Sequence, residues 1–202
     1  MLVVPAAGRG SRLGSPLPKA LVSVPLPSEV ALQAEPTGML DAVLLGCEVA
    51  ARWSPRRVVI TWCDQVAVHP ATVARLADRE ADSALALPLI VRDTPYIHFD
   101  RDQRGRICGV RQRREGDAMP ARGDSDMGLF SLSADAATID LPAFASTAAP
   151  DRGTGERNFL PFIPWLAKRR PVVTVEATDD MEAVGINTPE DLVRVEAYLK
   201  AR

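Results

Sequence analysis

The chain has 202 residues, 47% hydrophobic and 25% charged, with 24 Lys+Arg against 26 Asp+Glu and a net charge of −2. That length suits one domain with a substantial core, and the near-neutral balance gives no electrostatic footing for general nucleic-acid binding. No apolar run approaches the roughly 18 residues of a membrane span. No basic segment leads into an apolar stretch with a cleavage site, so a cytoplasmic protein without nucleic-acid or membrane partners is expected. The three cysteines, Cys47, Cys63 and Cys108, are far apart. They read as buried thiols of a reducing compartment rather than a disulfide framework or zinc site.

Residues 1–4 read as a short strand. A loop rich in glycine and small residues follows, "PAAGRGSRLGSPLPK", carrying Arg9, Arg12 and Lys19. Residues 36–52 predict a helix opened by Pro36 or Thr37, with Met39, Ala42, Val43, Leu44 and Val49 on its apolar face. "RRVVITWCD" is a buried strand ending at Asp64, and "HPATVARLADREA" a helix with Pro70 near its first turn. "SALALPLIV" is another strand, and "YIHFDRDQRGRICGVRQR" a hairpin turning at 103–105. "SDMGLFSLS" is a strand, and "NFLPFIPWLAKRR" a helix interrupted by Pro161 and Pro164. "PVVTVEAT" is a strand. "TPEDLVRVEAYLKAR" is the last helix, with Thr188 as N-cap and Pro189 at its first position. Residues 117–124 and 145–155 read as mobile loops. Strands alternating with helices imply an α/β fold, a Rossmann-like, mostly parallel sheet with helices on both faces, to which the hairpin adds a small antiparallel part. One domain spans 1–202.

A glycine-rich loop leaving a strand presents bare backbone N–H groups at the carboxyl edge of a sheet, where they bind anions, phosphate above all. Gly8 and Gly10 allow close approach, and Arg12 and Lys19 add cations suited to a triphosphate. The plainer reading is a glycine turn with surface basic residues. The stretch is neither a Walker loop nor GxGxxG. Asp64 ends an apolar strand, where a carboxylate is poorly placed for packing and well placed for a metal. His69 and His98 lack metal-ligand spacing.

Taken together, "AAGRGSRLGSPLPK", "LQAEPTGMLDA", "VVITWCDQV", "RGTGERNFLPFI" and "EAVGINTPEDL" resemble, in order, the motifs of the sugar-1-phosphate nucleotidyltransferase family, the uridylyltransferases and thymidylyltransferases among them. The resemblance implies the nucleotide-diphospho-sugar transferase fold and the metal-dependent reaction of an NTP with a sugar-1-phosphate to give NDP-sugar and pyrophosphate. It implies that Ala6, Ala7, Gly8, Arg9, Gly10, Ser11 and Arg12 bind the phosphates. It places Arg12 on the outgoing pyrophosphate and Lys19 between the α-phosphate and the attacking sugar phosphate. Gln33, Thr37, Gly38 and Cys63 fall to the nucleotide, Gln33 and Gly38 reading the base edge. Asp64 and Asn187 become the Mg²⁺ ligands, and Asp126, Gly128, Glu156 and Asn187 line the acceptor pocket. Local alternatives stand beside these: Gln33 as an ordinary strand-end polar residue, Asn187 as a helix-capping turn residue, Glu156 as a loop charge.

Trp62 before Asp64 departs from the family's small residue and is expected to narrow the site. Only 25–31 separates the first motif from the second, too short for the βαβ unit the family carries there, which needs about 30 residues. The chain is therefore read as lacking that unit, leaving an exposed edge beside the first strand. Other acceptors, such as phosphocholine or another phosphoalcohol, fit the same loop. So does a non-catalytic nucleotide-binding regulator. A homo-oligomer is compatible with all of these.

Overall fold

A computed structural model describes residues 1–5, 29–151 and 153–202. Its main sheet runs β1 (Leu2–Val3), β2 (Arg57–Thr61), β7 (Leu129–Ser133), β3 (Leu85–Asp93), with β6 (Arg122–Asp126) beside the far half of β3 and β8 (Val172–Glu176) also paired with β3. β1 pairs in parallel with β2, and β3 with β8; β7 lies antiparallel between β2 and β3. Thus β1, β2, β3 and β8 share one direction, and the β6–β7 excursion runs against it. β4 (Ile97–Arg101) and β5 (Ile107–Gln112) form the expected hairpin, held to β6 where Arg101 Nε donates to Asp124 Oδ2 at 2.7 Å.

The mixed α/β architecture and the direction of most strands are those expected. Among the described residues β1 is the edge strand, paired to β2 alone; most of the 25–31 connection lies outside the described residues.

Helix α1 (Met39–Ala51) buries Leu40, Val43, Cys47 and Ala50, a face rotated slightly from the predicted one. Burial pushes the Cys47 thiol up to about 12, so it packs as an apolar side chain. Cys63 is half-buried, but Cys108 is exposed, against the expectation of burial for all three. Helix α2 (Pro70–Arg79) begins after His69, whose Nδ1 accepts from Ala71 N.

The stretch read as one strand over 125–133 is two, broken at Met127–Gly128. A π-helical turn (Ala136–Asp140) leading into α3 (Leu141–Ala145) was not legible, because "SADAATIDLPAFA" has no regular helical stripe and contains Pro142. Neither predicted loop is without order. The first ends in β6, and in the second Asp151 N donates to Glu156 O and Gly155 N to Asp151 O, both at 2.9 Å. Helix α4 (Phe162–Ala167) is shorter than read, Pro161 preceding its first turn. Helix α5 (Pro189–Lys200) carries the predicted cap: Asp191 N donates to Thr188 Oγ1, and Asp191 Oδ2 accepts from Thr188 N.

Phe130, Phe159, Phe162 and Phe144 continue from Trp62 to Trp165 as a run of ring contacts, centroids 5.2–6.0 Å apart. This seam joins β2 and β7 to the segment before α4 and fixes both relative to one edge of the sheet.

Candidate functional site at the carboxyl edge of the sheet

The parallel strands β1 and β2 end side by side, so residue 5 and residues 62–65 emerge at the same edge. β7, running oppositely, begins there: Thr61 pairs with Leu129, which puts 126–128 next to Trp62. A short turn joins the end of α1 to the start of β2, so the beginning of α1 and Gly38 lie toward that edge as well. β8 shares the direction of β2, and its exit leads to 185–187. Ligands of open α/β sheets bind at such carboxyl edges.

Asp64 and Asn187 meet over Gly185. A Cβ on Gly185 would stand 2.9 Å from Asp64 Oδ2, 3.2 Å from the Gln65 amide and 3.3 Å from Asn187 Nδ2. The backbone locks this meeting, Ile186 N donating to Asp64 O at 3.0 Å. Asn187 is exposed, and its Nδ2 donates to Gly185 O at 3.3 Å, so Oδ1 is the acceptor it can offer outward. The half-buried Asp64 carboxylate is an oxygen ligand suited to a small hard cation; Asn187 presents its Nδ2 at this point, and its Oδ1 would join Asp64 as a ligand once the amide is turned over. Mg²⁺ characteristically takes one or two protein ligands and fills its shell with substrate phosphates and water. Among the described residues no group of three or more His, Cys, Asp or Glu is placed to form an all-protein cage.

Gln65 was not singled out by the sequence. With its nitrogen turned to two carbonyls, its amide donates to Glu182 O (3.1 Å) and Met127 O (3.3 Å), tying the Asp64 segment to both neighbours.

Gly128 has φ +66, and a Cβ there would lie 2.3 Å from Trp62 Cδ1 and 2.9 Å from Gln65 Cγ. Its place is thus against the Trp62 ring, with Trp62 N donating to Gly128 O at 2.9 Å. The Trp62 ring, expected only to narrow the site, is also the first member of the aromatic seam, 5.2 Å from Phe130 and 6.0 Å from Phe159. Asp126 Oδ2 accepts from Gly128 N at 3.0 Å and so closes the turn between β6 and β7. The residue keeps some exposed surface, yet desolvation of its carboxyl pushes the pKa up to about 6, partly offset by backbone hydrogen bonds.

Gln33, Thr37, Gly38 and Glu156 form a second group. Gln33 lies in irregular chain rather than at a strand end, and its Nε2 donates to Thr37 Oγ1 (3.0 Å) and Gly38 O (3.2 Å). Gly38 has φ +123, and a Cβ there would lie 2.4 Å from both N and O of Arg157. Only glycine lets these backbones cross so closely. Arg157 N donates to Thr37 O, Leu40 N to Arg157 O, and the Arg157 guanidinium to Asp41 and to Ala145 O. Glu156, one residue before this crossing, has Arg114 Nη2 at 3.9 Å. The group joins the Asp64 group through Phe159 and Trp62. Of the remaining predicted residues, Ala6, Ala7, Gly8, Arg9, Gly10, Ser11, Arg12 and Lys19 lie outside the described residues.

No family model matches this chain, and no curated protein matches it in sequence. Solved structures do. A nucleoside-diphosphate-sugar pyrophosphorylase from Vibrio cholerae RC9 superposes with a TM-score of 0.63 at 13% identity, over 96% of this chain and 99% of that one. HddC from Yersinia pseudotuberculosis superposes with a TM-score of 0.55 at 16% identity, over 82% of this chain and 64% of HddC. Both likenesses show a shared fold. Among the described residues no helix is long and apolar enough to cross a membrane.

Proposed function

We propose that this chain is a nucleotidyltransferase that moves a nucleoside monophosphate from an NTP to a sugar-1-phosphate, giving an NDP-sugar and pyrophosphate. The observation that carries the reading is the convergence of Asp64 and Asn187 over Gly185 at the edge where the glycine-rich first loop leaves β1. A fold shared with a nucleoside-diphosphate-sugar pyrophosphorylase supports it.

The acceptor phosphate is already an anionic nucleophile at neutral pH, so no general base is required. The barrier is repulsion between it and the triphosphate, together with charge developing on pyrophosphate. The backbone of 6–12 cradles the phosphates, Arg12 neutralises the leaving group, and Lys19 stands between the α-phosphate and the incoming phosphate. Asp64 and Asn187 would hold Mg²⁺, which supplies charge neutralisation and orientation at the phosphates. Gln33, Thr37, Gly38 and Cys63 face the nucleotide. Asp126, Gly128 and Glu156 shape the acceptor side.

Pyrophosphate release across the four NTPs and a panel of sugar-1-phosphates, with phosphocholine and other phosphoalcohols as further acceptors, tests the reading. Release that needs Mg²⁺ and one sugar-1-phosphate is expected. Turnover with a phosphoalcohol alone would move the assignment to that acceptor. NTP binding without pyrophosphate release for any acceptor would make the chain a nucleotide-binding regulator.

A further inference from the structure

Glu182 is fully buried, and among the described residues no Lys, Arg or His forms an ion pair with it. Its carboxylate is held by donors from the start of α2 and from the exit of β8. Oε1 accepts from Thr72 Oγ1 (2.9 Å), Thr178 N (2.7 Å) and Asp179 N (3.0 Å), and Oε2 accepts from His69 N (2.7 Å). Thr72, itself fully buried in α2, also contacts Thr178 Oγ1 at 2.9 Å. The carboxylate therefore pins the start of α2 and the exit of β8 to the turn Asp180–Ala183.

Both sides of the candidate cation site hang from this point. The backbone carbonyl of Glu182 is the acceptor for Gln65, next to Asp64. In the other direction buried Val184 leads to Gly185 and Asn187, and Ile186 N returns to Asp64 O. A capping box with Asp179 accounts for one of the four bonds; it does not account for the reach to His69 and Thr72.

We propose that Glu182 is a positioning residue whose buried carboxylate holds the Asp64 and Asn187 segments at the separation that binds a divalent cation. The proposal rests on the reading of that pair as the cation site. Outer groups that orient metal ligands commonly alter metal affinity by about 10–100-fold when replaced. Glu182→Gln can keep Oε1 facing Thr72, Thr178 and Asp179, but it turns an NH₂ toward His69 N–H and loses that bond.

The test uses the full chain with Mn²⁺ as the probe, free Mn²⁺ being counted by electron paramagnetic resonance with and without a non-hydrolysable NTP analogue. Mg²⁺ activation of pyrophosphate release is measured in parallel. Glu182→Gln is expected to weaken Mn²⁺ binding about tenfold or more, to raise the Mg²⁺ concentration for half-maximal rate by a like factor, and to leave the rate at saturating Mg²⁺ much less affected. Thr72→Val, which removes the donation to Glu182 Oε1 together with the bonds the hydroxyl makes with Thr178 and Arg75 at nearly constant volume, is expected to shift both quantities the same way. It serves alone if Glu182→Gln does not fold. Asp64→Asn is the reference and is expected to abolish the Mn²⁺ site. Loss of Mn²⁺ binding in Asp64→Asn with wild-type binding in folded Glu182→Gln and Thr72→Val would overturn the positioning role and leave the cation site standing. Mn²⁺ binding indifferent to Asp64→Asn would overturn the cation site itself, and the positioning role with it.

Discussion

Gly185→Ala separates the chemistry of the candidate site from the stability of the fold. Gly185 is not among the glycines with positive φ, so alanine meets no backbone penalty there. The added methyl would lie 2.9 Å from Asp64 Oδ2, 3.2 Å from the Gln65 amide and 3.3 Å from Asn187 Nδ2, all ends of side chains rather than backbone. Moving them off their rotamers costs about 0.5–1.5 kcal/mol. The loss of unfolded-chain freedom on replacing glycine returns about 0.4–1 kcal/mol. The net change in stability is therefore expected within about 1 kcal/mol of zero. The functional cost is larger, because the methyl fills the space where the two side chains converge, and a misplacement near 1 Å at a reacting centre can cost about 10²-fold. Gly38→Ala is the contrast: there the methyl meets backbone N and O of Arg157 at 2.4 Å with φ at +123, and destabilisation of at least about 2 kcal/mol is expected. Thermal melts and Mg²⁺-dependent pyrophosphate release on both variants give the answer. A Gly185→Ala protein with wild-type turnover would show that neither cation nor phosphate occupies this space. One that melts as low as Gly38→Ala would refute the steric reasoning.

Asp64→Asn keeps the shape of a half-buried side chain and should leave the melting temperature nearly unchanged while Mg²⁺-dependent turnover disappears; residual metal-stimulated turnover would count against it as a ligand. Lys19→Ala should lower kcat/KM by about 10²-fold or more with a smaller loss of NTP affinity, since its charge is needed most as two anions close. Calorimetry showing a loss confined to NTP affinity, with kcat preserved at saturation, would make Lys19 a binding residue only. Asp126 has a folded pKa raised by burial from an ordinary 3.8 to about 6. The stability tied to its protonated form is present below pH 4 and lost as pH rises through about 6, so Asp126→Asn should stabilise the protein by about 1–3 kcal/mol at pH 7.5 and hardly at pH 4. Equal denaturation midpoints for variant and parent at pH 7.5 would refute that burial.

The strands that ended in strong punctuation were legible. "RRVVITWCD" and "PVVTVEAT" are short apolar runs with charged or turn residues beside them, and both occur within a residue or three of the expected bounds. The last helix was legible to its cap, because Thr188, Pro189 and Asp191 act through bonds within one turn. Elements whose form depends on distant packing were not. The break between β6 and β7 carries a left-handed Gly128 and the Asp126 turn, and it lies against the Trp62 ring, which only the folded sheet brings there. The turn Asp180–Ala183 and the π-helical turn Ala136–Asp140 carry no periodic apolar stripe for the same reason.

The candidate site follows a similar division. Asp64 could be singled out by residue type and position, a carboxylate ending an apolar strand, whereas Asn187 reads locally as a helix-capping turn residue and is drawn in only by the family resemblance. Their proximity depends on groups that look ordinary in sequence: Gly185, Gln65 and Glu182. In "TDDMEAVGIN" Glu182 reads as one more acidic residue of a polar turn. Its burial arises because α2 delivers the His69 N–H and the Thr72 hydroxyl to it from the far side. That arrangement also bears on the short 25–31 connection. A further βαβ unit would extend the sheet outward from β1, the edge strand among the described residues. The Asp64 and Asn187 segments hang instead from β2, β7 and β8, on the inner side of β1, and are cross-tied through Gln65, Ile186 and Glu182. The Gln33–Gly38 segment, which the short connection enters, is tied independently through Arg157 to Asp41 and Ala145. A shortened first crossover would therefore take sheet from the opposite flank and leave the described supports of both groups in place.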